Sequence, residues 1–200
     1  MLDKASQYIT GVAWHCYESP NWRVLTDFHN RHPNVKQYMT ECWTPSRENY
    51  SWRQAADFTM GPLQNWASGV MAWGLGTDNG NGPYLSGGHS CKECRGLVTI
   101  DAVSGSYQLQ IDYYMMAQFS KFMPKGAKVL SGTGSYSFAD GSGIESVASL
   151  NPDGSRTVVI ENKFGNDVYV TLTTKSGETW SGWTRTNSVV SWVLPPAASW

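Results

Sequence analysis

Three short β-like runs recur at strand-helix-strand spacing in the first half of the chain, and that recurrence constrains the fold more than any other feature. YITGVAWHCY covers residues 8–17, VKQYMTECW covers 35–43 and GVMAWGLGT covers 69–77, with ends at Tyr17, Glu41 and Trp73. Successive ends lie 24 and 32 residues apart, about the length of a βα unit. The stretches between them read as helices. In SPNWRVLTDFHNRHP, Trp22, Leu25 and Phe28 fall at i, i+3 and i+6 and the pattern stops before Pro33. SRENYSWRQAADFTMGPLQNWAS supplies a longer helix, and SYQLQIDYYMMAQFSKFMPKG (106–126) one more, closed by Pro124 and Gly126.

Near residue 125 the character changes. From there on, β-branched runs alternate with Gly, Asn, Asp and Ser turns, and NPDG and KSG mark hairpins. The expected fold class is therefore α/β plus all-β. Residues 1–124 form the last strands and helices of a (β/α)8 barrel, about three βα units, and 125–200 form an antiparallel β-sandwich. A complete barrel takes roughly 250 residues, so the pattern reads as the last part of a larger protein.

Composition narrows the class of function. Net charge is −1 and the 15 basic residues are scattered singly, which disfavours nucleic acid and anionic lipid as partners. No apolar run approaches the roughly 20 residues of a membrane span, and MLDKASQYIT lacks the apolar core of a signal peptide. Aromatic content is high, with 10 Trp, 10 Tyr and 6 Phe. Such rings serve either as core or as flat platforms for the apolar faces of sugars.

The strand ends hold the candidate chemistry. Glu41 closes the run KQYMTE, between Thr40 and Cys42. Taken alone it is a solvated surface residue or a catalytic carboxylate at the carboxyl end of a barrel strand. His15 and Tyr17 alternate with Trp14 and Cys16, so one pair faces the barrel lumen and the other the helices. Cys91 and Cys94 form a CxxC in a Gly-rich loop. Zinc would need four ligands and His89 leaves one position unfilled, while a redox pair should open a helix; a disulfide across a rim loop is the favoured reading. Cys16 and Cys42, on adjacent strands, are read as buried thiols. No metal and no cofactor are expected.

GVAWHCY, HPNVKQYMTECW, GVMAWGLGTDNGNGPY and YYMMAQFSKFMPKGAKVL, in this order and at this spacing, resemble the closing portion of glycoside hydrolase family 30. The similarity covers essentially the whole chain and ends with SVVSWVLP as the last sandwich strand. It implies a retaining glycosidase with Glu41 as nucleophile on the seventh barrel strand, His15 and Tyr17 beside it, and Trp73 as a sugar platform whose other reading is core packing. The acid/base carboxyl, in the family an Asn-Glu-Pro-like motif on the fourth strand, is absent here, and Glu18, Glu48 and Glu93 are poor substitutes. The Cys-rich loop GGHSCKECRGLVTID and the helix MAQFSKFMP lean towards the endo-β-1,6-glucanase branch, hence a β-glucan substrate and a monomeric, secreted protein. Glucosylceramidase, β-1,6-galactanase and xylanase specificities, or a non-catalytic carbohydrate-binding or inert remnant, are the alternatives.

Overall fold

The computed structural model describes residues 2–17, 21–42, 51–83, 91–131 and 136–197, in two compact units, Met1–Met116 and Ala117–Trp200. The first opens with a short helix, α1 (Leu2–Ala5), and then sets three parallel strands side by side: β1 (Gly11–His15), β2 (Lys36–Glu41) and β3 (Ala67–Val70), in that order across the sheet. Helices α2 (Arg23–Arg31) and α3 (Ser51–Gln64) make the crossovers. The apolar stripe of α2 buries Leu25 and Phe28, as the sequence spacing predicts. Phe28 meets the Trp14 ring edge-on at 5.6 Å.

A buried polar residue fixes this layer. Gln37 is fully buried on β2, accepting from the Trp14 indole N–H at 3.0 Å and donating to the carbonyl of Leu25 at 2.9 Å. Buried amides persist only when satisfied, so Gln37 links β1, β2 and α2 in one register. At Gly61 of α3, a side chain would overlap the Trp22 indole. Glycine is needed there for close approach, despite its cost inside a helix.

Two expectations about element type are corrected. The third run is not one strand over 69–77: β3 ends at Val70, and a separate strand β4 (Gly76–Asp78) begins after Gly74, which sits at φ 78°. Between them the Trp73 N–H donates to the carbonyl of Cys42 and diverts the chain. Nor does the helix start at residue 106. Tyr107–Leu109 is a strand, β6, antiparallel to β5 (Val98–Ile100), which in turn runs parallel to β4. Pairing with the β-branched run Val98–Ile100 overrides helical propensity in YQL. Helix α4 (Ile111–Ser120) follows.

The second unit is a β-sandwich. One sheet has the order β13 (Ser188–Leu194), β10 (Arg156–Asn162), β9 (Gly143–Leu150), β7 (Lys128–Leu130), with β8 (Tyr136–Ser137) also on β9. Against it packs the hairpin of β11 (Val168–Thr173) and β12 (Thr179–Thr184). Ala148, Val158, Ile160 and Leu194 form the core, covered by Val170, Leu172 and Trp180 of the hairpin. Every residue of β10 is buried, so RTVVIEN reads as a central strand rather than an alternating one.

Arg156, buried at the start of β10, donates to both carboxylate oxygens of Glu178 and to the carbonyl of Pro195. Those hydrogen bonds hold the Glu178 carboxyl below its ordinary value. A folded-state value below the unfolded one stabilises the fold above the ordinary carboxylate range and stops doing so as pH falls through the folded value. Melting temperatures of the parent and of Glu178→Gln should therefore differ most near neutrality and converge in acid. A gap independent of pH would show that the charge on Glu178 is irrelevant.

Candidate active site

The site is built at the carboxyl ends of β1 and β2. Along most of their length these strands run in simple parallel register, Gly11 beside Lys36 through Trp14 beside Met39. The register then slips by one residue, so that Glu41 instead of Thr40 comes opposite His15. Such an irregularity re-aims side chains at a strand end. The Thr40 hydroxyl donates to the carbonyl of Trp14 at 3.3 Å, and the Cys16 N–H to the carbonyl of Glu41 at 3.2 Å, fixing the slipped arrangement.

Two groups converge on one carboxylate oxygen. The Tyr17 hydroxyl donates to Glu41 Oε2 at 2.8 Å, and His15 Nδ1 lies 3.3 Å from the same atom. The rings of His15 and Tyr17 meet edge-on at 5.6 Å. Partial burial, and next the Glu41 carboxylate it donates to, push the Tyr17 phenol above its ordinary value, so it remains a neutral donor at any working pH. Glu41 keeps 29 % of its side chain exposed, accessible yet not freely hydrated. On the opposite face, Cys16, Met39 and Cys42 pack with Trp14, Trp22, Phe58 and Val70.

Cys16 and Cys42, expected as separate thiols, form a disulfide with a Cα–Cα distance of 5.4 Å. The slip explains the correction. With His15 beside Glu41, the next residues, Cys16 and Cys42, come opposite each other within bridging range. Equal depth on neighbouring strands was the available sequence signal, but the exact register was not. Cys91 and Cys94 form the expected short-loop disulfide, Cα–Cα 5.3 Å. Mass analysis of unreduced protein should show a deficit of about 2 Da per bridge, about 4 Da in all, assigned by peptide mapping to Cys16–Cys42 and SCKEC. A deficit of half that size would remove one of the two bridges.

Trp73 lies in the bend after β3 and is 47 % exposed, neither free nor core. It lines a cleft with Cys42, Phe58, Val70, Arg95 and Met116, and its backbone ties the bend to the residue after Glu41. In that cleft Arg95 pairs with the buried Asp112 at the start of α4, a contact that sequence patterning does not reveal. Asp78 accepts from the N–H groups of Gly80 and Gly82 at 2.7 Å each, an Asx turn that accounts for TDNGNG. Glu93 belongs to the turn closed by the Cys91–Cys94 bridge. Glu18, Glu48 and His89 lie outside the described residues.

Parallel strands whose carboxyl ends gather a carboxylate and its hydrogen-bonding neighbours, joined to an antiparallel sandwich, define the class of barrel-plus-sandwich proteins. Residues 2–123 match the glycosyl hydrolase family 30 TIM-barrel domain and residues 126–199 the glycosyl hydrolase family 30 beta sandwich domain. The chain belongs to glycoside hydrolase family 30. It is 63% identical to an endo-1,6-β-D-glucanase of Neurospora crassa over 100% of this chain and 42% of that protein. To an endo-1,6-β-D-glucanase of Aspergillus fumigatus it is 65% identical, over 98% of this chain and 40% of the other. A solved structure described as an endo-β1,6-glucanase superposes with a TM-score of 0.81 at 27% identity, over 98% of this chain and 43% of that one. The chain thus spans about two-fifths of the curated relatives it matches.

Proposed function

We propose that the chain is part of a retaining glycoside hydrolase that cleaves β-glucosidic bonds in a β-1,6-glucan, with Glu41 as the nucleophile. The observation that carries this reading is the convergence of the Tyr17 hydroxyl and His15 Nδ1 on Glu41 Oε2 at the carboxyl ends of parallel strands. A carboxylate oriented through one oxygen presents the other to an anomeric carbon. Attack forms a glycosyl ester of Glu41 and expels the leaving group; water then attacks the anomeric carbon from the opposite side and displaces the Glu41 carboxylate, releasing the sugar. Tyr17 stabilises the carboxylate before attack and as the glycosyl-enzyme breaks down, His15 holds the same oxygen, and Trp73 offers an aromatic face to the sugar.

Retaining chemistry needs a second carboxyl about 5 Å from the first, to protonate the departing oxygen and then activate water. We assign it to residues outside these 200, in the part of the protein that the relatives' greater length represents. The β-1,6 linkage rests on the names of the similar glucanases. Disulfides persist in oxidising compartments, and the two present here support a secreted protein. Residues 1–124 are assigned to the barrel part and 125–200 to the sandwich, in a monomer.

The 200 residues expressed alone should release no aryl alcohol from an aryl β-glucoside, whereas the protein extended to its relatives' length should hydrolyse soluble β-1,6-glucan with retention at the new anomeric centre, followed by NMR. Turnover by the short chain, or an inverted product, would overturn the two-part site.

A further inference from the structure

We propose that the outward face of the β11–β12 hairpin binds a single strand of neutral polysaccharide. Alternation along both strands divides their side chains cleanly. Val170, Leu172 and Trp180 turn inward onto the sandwich core, while Tyr169, Thr171 and Thr173 of β11 and Thr179, Ser181 and Trp183 of β12 turn to solvent. The outward residues are also cross-strand partners: Tyr169 faces Trp183, Thr171 faces Ser181 and Thr173 faces Thr179.

Two large rings stand in water at one end of this face, Tyr169 56 % and Trp183 66 % exposed. Their centroids are 5.2 Å apart with planes at 68°, so they form an open corner that can hold the C–H face of one sugar ring and the edge of another. Cross-strand aromatic pairing also stabilises a hairpin, but that role does not call for the row of hydroxyls beside it. The Thr171 and Ser181 hydroxyls lie 3.1 Å apart, and each hydroxyl of the row both donates and accepts, as sugar hydroxyls do.

Charge and size choose the occupant. None of the six outward side chains is ionisable at neutral pH, and at the aromatic end Arg185 and Asp167 are paired to each other at 2.7 Å, so the strip attracts neither a polyanion nor a polycation. Each strand is six residues long, so the outward face is a strip about 20 Å by about 10 Å. That is far below the roughly 800 Å² per partner of a stable protein interface, but it suits one extended polymer. The ligand class is that of the Glu41 reading, while the site rests on the hairpin alone.

The test is adsorption of the 200-residue chain to washed insoluble β-1,6-glucan, with β-1,3-glucan and cellulose alongside. Trp183→Thr and Tyr169→Thr keep strand propensity and should each cut the bound fraction about fivefold or more, the double variant abolishing it; Glu41→Gln should adsorb like the parent. Should thermal unfolding show either variant misfolded, Ser181→Lys, which leaves both rings and lays a charged chain across the hydroxyls, should also release the protein. Failure of the parent to adsorb, or unchanged adsorption by the hairpin variants, overturns the proposal. So does adsorption lost with Trp73→Ala but kept by the double hairpin variant, which would assign retention to the Glu41 site. A dimer in sedimentation that Trp183→Thr dissociates, with no adsorption by the parent, would assign the face to a second copy. In the protein extended to its relatives' length, loss of catalysis by Glu41→Gln bears only on the nucleophile.

Discussion

Glu41→Gln in the protein extended to its relatives' length should lower kcat by about 10⁴-fold or more, comparable to losing a nucleophile elsewhere. The amide fills the same space and can still accept from the Tyr17 hydroxyl, so fold and oligosaccharide binding should change little. It cannot displace a leaving group at the anomeric carbon, because the covalent step requires a carboxylate. A 2-fluoro glycosyl fluoride should label the parent at Glu41 and spare the variant, read by mass spectrometry of the KQYMTEC peptide. Label on another carboxylate, or a variant retaining a tenth of its activity, would reduce Glu41 to a rim residue.

Asn162→Ala should produce the largest loss of stability in the sandwich. Asn162 is fully buried at the end of β10. Its amide nitrogen donates to the carbonyls of Asn166, Thr184 and Arg185, and its oxygen accepts from the Phe164 N–H. One side chain thereby satisfies the backbone of two chain reversals. Removing it strands several buried polar groups at about 1–3 kcal/mol each, so a loss of about 4 kcal/mol and roughly 10 °C in melting temperature is expected. Asn162→Asp separates hydrogen bonding from size. The carboxylate would face three carbonyls, so at neutral pH it should be at least as damaging as alanine and should recover as pH falls and the group gains a proton to donate. An aspartate variant as stable as the parent at neutral pH would refute this account.

How far the sequence speaks can be judged from these residues. Periodicity alone located α2, with Leu25 and Phe28 buried as the i, i+3, i+6 spacing requires. Alternation and the NPDG and KSG turns located the β9–β10 and β11–β12 hairpins, because short-range hydrogen bonds and glycine at φ 84° and 87° decide those turns locally. The order of motifs around Glu41 carried the family resemblance. What the sequence left open depends on contacts between distant segments. SYQLQ became partly strand because Val98–Ile100 pairs with it, and GVMAWGLGT broke in two because Trp73 bonds back to Cys42. The slip at Thr40 is the decisive case. A one-residue change of register between strands 26 residues apart in sequence brings Glu41 level with His15 and joins Cys16 to Cys42. Residue types at strand ends follow from local pattern, but which of them face each other is a property of register, and register was set by the assembled sheet.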